Sequence, residues 1–209
     1  MGHIILLGDS IFDNGVYVPG QPDVVKQLRE RLPSGWMATL LAVDGAVTRS
    51  VAGQLTRVTC DATHLVVSVG GNDALGESRI LGARARSVGE AVAMLAQAQS
   101  RFAAHYADMV ESVLALELPT ALCTIYDTPA SAPNHLVIRT ALSLFNDIIT
   151  RAAFGQALPL VDLRLICREE EDYANPIEPS ARGGDKIASA IARLIASEEA
   201  EPRSVVAAR

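Results

Sequence analysis

At 209 residues the chain is long enough to bury one substantial core. Hydrophobic residues make up 49% and charged residues 20%, the balance of a soluble globular protein. A net charge of −6 argues against a nucleic-acid binder, which needs a basic face to neutralise phosphates.

Cys60, Cys123 and Cys167 are odd in number and widely spaced, with neither a disulfide framework nor metal-ligand spacing, so they read as free buried thiols in a reducing compartment. No apolar run reaches the ~20 residues that span a bilayer. The first residues lack the basic region of a signal peptide, and a cytoplasmic location is expected.

In chain order, Ile4 to Leu7 is a continuous apolar run that stops at Gly8-Asp9-Ser10. It reads as a strand covered on both faces. The turn puts Ser10 outside a strand's carboxyl end, where open α/β sheets bind ligands, although Gly-Asp-Ser is also an ordinary turn. Phe12 to Gln21 reads as loop. Asp23 opens a helix with Val24, Leu28 and Leu32 on one face, ended by Pro33-Ser34-Gly35. Trp36 to Val43 is a second apolar run, followed by Asp44-Gly45-Ala46, and a short helix covers Val51 to Val58.

His64 to Val69 is a clear strand that ends in Gly70-Gly71-Asn72-Asp73. Leu75 to Ser87, with Arg79, Arg84 and Arg86, reads as a solvated surface segment. From Gly89 to Leu116, Val92, Leu95, Phe102, Tyr106, Met109 and Val113 recur at steps of three and four, giving a long amphipathic helix. A strand over Thr120 to Tyr126, a loop over Asp127 to Asn134 and a helix from His135 to Phe154 follow. Leu158 to Leu163 is a last strand, Ile166 to Pro179 an exposed acidic loop, and Gly183-Gly184-Asp185 precedes a final helix carrying Ile187, Ile191, Leu194 and Ile195. About five strands alternating with helices imply a parallel sheet in one three-layer α/β domain over residues 1–197, with a frayed tail over 198–209.

Gly8-Asp9-Ser10, Gly45 and Gly70-x-Asn72-Asp73 stand in the order and spacing of the SGNH (GDSL-type) hydrolases, and the chain resembles that family from Ile4 to Ile195. The resemblance implies a flavodoxin-like sheet in the order 2-1-3-4-5. It also implies hydrolysis of esters, thioesters or acetylated sugars through an acyl-serine on Ser10, with no metal or cofactor. The N–H groups of Ser10 and Gly45 and the Asn72 amide would form the oxyanion hole, where loss of one donor typically costs ~10²–10³ in rate. Asp9, Gly71, Asp73, Asn175 and His135 are expected around the substrate. Asp13 joins them if a helical turn follows Ser10; the preferred reading is that it caps that turn.

The chain departs from the family at its last block, Asp-x-x-His-Pro. Asn175 stands in the aspartate position, Glu178 in the histidine position, and Pro179 is kept. Four readings follow. Glu178 is itself the base, its pKa of ~4.3 raised by burial. His135 supplies the base. The site binds acyl or sugar groups without hydrolysis. Or Glu178 is a solvated loop residue and the chemistry is lost. His3, His64 and His105 sit at the wrong end of the sheet or on the long helix and read as structural. A flavin-binding protein is the competing class, but the first loop lacks a Ser/Thr-rich phosphate cradle and no Walker-type Gly-Lys-Ser/Thr is present.

Overall fold

The computed structural model describes residues 1–197. Five parallel strands form the central sheet: β1 (His3–Gly8), β2 (Met37–Leu40), β3 (His64–Ser68), β4 (Thr120–Cys123) and β5 (Leu160–Val161), in the order β2-β1-β3-β4-β5. The expected topology is therefore present, with β2 to β5 shorter than the runs that encode them and β1 extending one residue beyond its run at each end. All six β1 residues are buried because successive side chains face opposite layers. Ile4 and Leu6 pack under α1 (Val24–Arg31) and α7 (Ala181–Ser197), through Val24, Leu28, Ile187 and Ile191. Ile5 and Leu7 pack under α4 (Val88–Leu114) and α5 (His135–Gly155), through Phe102, Tyr106, Phe145 and Ile149.

Capping fixes where helices begin. The Asp23 carboxylate accepts from Lys26 N at 2.9 Å to start α1, and Ser87 Oγ accepts from Glu90 N at 3.1 Å to start α4. Three expectations change here. Val92 lies on the exposed side of α4, before that helix reaches the sheet. Gly183 and Gly184 lie inside α7, not before it; Gly183 serves close packing there, since a Cβ on it would stand 2.1 Å from the Asp172 carbonyl oxygen. Cys60 is exposed, whereas Cys123 and Cys167 are buried.

The segment read as an exposed loop is folded and partly buried. It starts at the last residue of α6 (Leu163–Ile166) and holds the antiparallel pair β6 (Tyr173–Asn175) and β7 (Glu178–Pro179). Its organiser is Asp172, whose buried carboxylate accepts from the backbone N–H groups of Arg168 and Glu169 and from Lys186 Nζ. The polar composition that suggested solvent thus serves an internal network. The short helix expected before β3 is α2 (Val51–Leu55); the segment after β3 differs from expectation, since α3 (Gly71–Gly76) and a 3₁₀ turn over Ser78–Gly82 follow the strand. Leu75, Ile80 and Leu81 of that stretch wall a cavity, while Arg79, Arg84 and Arg86 stay exposed. The tail expected over 198–209 lies outside the described residues. Among the described residues no helix is long and apolar enough to cross a membrane.

Candidate active site

The site is assembled where β1 and β3 end. Gly8 has φ +123°, and a Cβ there would stand 1.7 Å from the Ser68 carbonyl oxygen, so only glycine permits this close approach at the end of the paired strands. Asp9 N then donates to Ser68 O at 3.0 Å. The Gln54 side chain clamps the turn from the side, accepting from Gly8 N and donating to Gly8 O, both at 2.7 Å. Ser10 is thereby fixed at the sheet's carboxyl edge, buried, with Oγ donating to Glu178 Oε1 at 3.1 Å.

Two further loops meet this turn. Val43 N donates to Gly8 O at 3.1 Å, and a turn over residues 43–46 places Gly45 at φ +77° on an exposed corner. Asn72, at the start of α3, donates from Nδ2 to Ala46 O at 3.0 Å, so the Gly45 turn and Asn72 are tied to each other. Among the described residues the N–H groups of Ser10 and Gly45 have no acceptor, and the Asn72 amide keeps a second N–H free.

Glu178 reaches Ser10 from β7. Both carbonyl groups flanking it are held by buried side chains: Tyr126 Oη donates to Ile177 O at 2.9 Å, and Asn14 Nδ2 donates to Pro179 O at 3.3 Å. Burial pushes the Glu178 carboxyl up to about 7; the Ser10 hydrogen bond opposes the shift and the Asp44 charge adds to it. Glu178 Oε2 is buried and has no partner among the described residues. Asp9 is pushed further, to about 8, mainly by burial; hydrogen bonds from Ile11 N and from its own backbone oppose the shift, and the Glu178 and Asp73 charges add to it.

A cavity of about 270 Å³ opens onto Ser10, Asn72 and Glu178 and runs between α4 and α5. Its body is apolar, with Leu95 and Ala98 from α4 and Ile138, Ala141, Leu142 and Phe145 from α5. Asp9 and Gly71 also line it. Four residues expected around the substrate do not. Asp13 accepts from Asp44 N at 3.0 Å, bracing the Gly45 loop rather than capping a turn or facing the cavity. Asp73 accepts from both Thr48 N and Thr48 Oγ1 at 2.9 Å, which turns it away. Asn175 accepts from Ile177 N at 3.0 Å inside its own hairpin turn. His135 begins α5 outside the cavity lining, its charge felt by Asp127 and Glu170, and Glu178 rather than His135 meets Ser10.

The other histidines are placed elsewhere, as expected. His3 bonds Asp61 and Thr39 at the opposite end of β1, His64 stacks near Trp36, and His105 meets Arg49 on the surface. No group of three or more His, Cys, Asp or Glu converges into a metal-holding cluster among the described residues.

The sequence profile of the GDSL-like Lipase/Acylhydrolase family matches residues 6–186. The chain belongs to this family. Solved structures share the fold of this GDSL-like chain at low identity. A lipase from a goat rumen metagenome superposes with a TM-score of 0.71 at 18% identity, covering 91% of this chain and 96% of its own. The aryl esterase of M. smegmatis gives 0.68 at 13%, covering 94% and 99%. LAE5, an alpha/beta hydrolase enzyme from the metagenome of Lake Arreo, Spain, gives 0.67 at 16%, covering 96% and 97%. No curated protein sequence matches the chain.

Sequence reasoning about this GDSL-like chain missed four supporting residues. Gln54, Asn14 and Tyr126 are described above. Asn146 is the fourth: it accepts from Ile125 N and donates to Ile125 O, both at 2.8 Å, fixing the cavity wall beyond β4. A polar residue inside an otherwise apolar helix face, between Phe145 and Ile149, was the available signal for Asn146. Asn14, Gln54 and Tyr126 carry no such pattern, because their partners are distant in sequence.

Proposed function

We propose that this GDSL-family chain is a carboxylester hydrolase in which Ser10 is the nucleophile and Glu178 its general base. The observation that carries the reading is the 3.1 Å hydrogen bond from Ser10 Oγ to a buried carboxyl at the mouth of an apolar cavity. A carboxylate of ordinary pKa accepts a serine proton poorly, and burial makes this one a stronger base near neutral pH.

In the proposed cycle Ser10 Oγ attacks the ester carbonyl while its proton passes to Glu178 Oε1. The N–H groups of Ser10 and Gly45 and the free N–H of Asn72 take the oxyanion. The neutral Glu178 acid then returns the proton to the leaving alkoxide as the C–O bond breaks, which leaves an acyl-serine. Glu178 next takes a proton from water as the hydroxyl adds to the acyl carbon. Collapse returns that proton to Ser10 Oγ and releases the carboxylic acid. The negative charge moves from carboxylate to oxyanion and back without a cation forming, so the site has no need of the aspartate that would support an imidazolium. That matches Asn175 being engaged in its own turn.

Hydrolysis of a p-nitrophenyl ester by wild type, Ser10→Ala and Glu178→Gln, side by side, tests this. Ser10→Ala abolishes turnover, and Glu178→Gln lowers kcat about 10²–10⁴-fold. Retained activity in Ser10→Ala contradicts the reading. No turnover in any of the three on a range of esters, with Ser10 inert to a fluorophosphonate probe, points to binding without hydrolysis.

A further inference from the structure

The cavity's carboxyl groups are Asp9, Glu77 and Glu178, and among the described residues no lysine, arginine or histidine lines it. Glu77 is already spent on Arg101, which meets it at 2.8 Å from outside the lining. Arg164, on the β5 side, is paired with Asp162. A ligand placed between α4 and α5 therefore meets two unpaired carboxyl groups and otherwise apolar or uncharged walls.

We propose that this pocket selects uncharged esters carrying an apolar group and excludes esters that also bear a carboxylate or phosphate; this rests on the hydrolase reading above. The physical ground is the cost of burying a charge without a partner. The protein's own groups report that cost, since burial is the main cause of the Asp9 and Glu178 shifts. A ligand anion entering the same space pays it again and also faces the Glu178 carboxylate that must be ionised for attack. An apolar group gains from contact with Leu95, Ile138, Leu142 and Phe145 instead. The same logic favours product release, because the acid formed at Ser10 ionises to a species the pocket repels.

The test compares p-nitrophenyl hexanoate with mono-p-nitrophenyl adipate, which has the same chain length and ends in a carboxylate. At pH 8 the neutral ester is favoured about 100-fold in kcat/KM. Ile138→Lys adds a cation to the wall at a half-buried position outside the catalytic set, and narrows that ratio about tenfold. A second arm does not depend on turnover: calorimetry on Ser10→Ala detects hexanamide and not hexanoate. If wild type hydrolyses neither ester while Ser10→Ala keeps that preference, the selectivity stands and the hydrolase reading falls. Turnover of the adipate ester within threefold of the hexanoate overturns the proposal. So does hexanoate binding as tightly as hexanamide, or binding of neither ligand.

Discussion

Ser10 and Glu178 meet at 3.1 Å, yet the two sides of that contact are held by different means. The Ser10 side is backbone and sheet: Gly8 lies against Ser68 where no Cβ fits, Gln54 clamps Gly8, and Asp9 N closes on Ser68 O. The carboxyl side is a short hairpin whose two carbonyls hang on single side chains, Tyr126 and Asn14, from remote parts of the chain. The first arrangement is rigid because it is continuous with the buried sheet. The second is adjustable, since each anchor is one hydrogen bond.

Substitutions on the two sides should therefore fail differently. Gly8→Ala is expected to have the largest effect. Its Cβ cannot be placed, and stability should fall by more than about 3 kcal/mol, read as a lower midpoint in urea or as insoluble protein. If Gly8→Ala folds normally, the turn that carries Ser10 is less constrained than described.

Tyr126→Phe removes one hydrogen bond and leaves the ring packed on Tyr173. It should cost only about 1 kcal/mol in stability. Its signature is catalytic: kcat falls about tenfold with KM little changed, and the pH midpoint of kcat/KM moves as Glu178 loosens. A variant that loses stability but keeps the wild-type rate and midpoint would make Tyr126 purely structural.

The smallest effect concerns stability against pH. The Glu178 carboxyl is raised from 4.5 to about 7 on folding, and that of Asp9 from 3.8 to about 8. The folded chain thus holds protons that the unfolded chain releases. The stability these groups contribute is present at pH 4 and declines as pH rises through 7 and 8. Glu178→Gln removes part of this penalty, because Gln can still accept from Ser10. Its Tm at pH 8 should exceed that of wild type by about 3 °C, with no gain at pH 4. Equal Tm values at both pH values would mean that Glu178 titrates normally.

The same division explains what was legible in the sequence. The strands and the turns at Gly8-Asp9-Ser10 and Gly70-Gly71-Asn72 follow from apolar runs that stop at glycines, which are local signals; the sheet order and the place of Gly45 come from the family resemblance those turns carry. The stretch from Ile166 to Pro179 was misread as exposed loop because its acidic residues look solvated. Asp172 is in fact engaged by the N–H groups of Arg168 and Glu169 and by Lys186, and Glu178 by Ser10; the Lys186 and Ser10 partners stand at sequence separations of 14 and 168. Asp13, Asp73 and Asn175 carry polar groups suited to a substrate, but each is used by a nearby N–H of the scaffold. Periodicity reveals which residues are inside; it does not reveal which buried polar groups find one another.

The most direct test of the Ser10–Glu178 pair is the rate at which a fluorophosphonate labels Ser10, followed from pH 5 to 9 in wild type and Glu178→Gln. The wild-type rate should rise through a single midpoint near 7, where Glu178 becomes the carboxylate, and the rise should vanish in Glu178→Gln with labelling slowed at least about 100-fold. Equal labelling rates in the two proteins, with the same pH dependence, would contradict the assignment of Glu178 as the base.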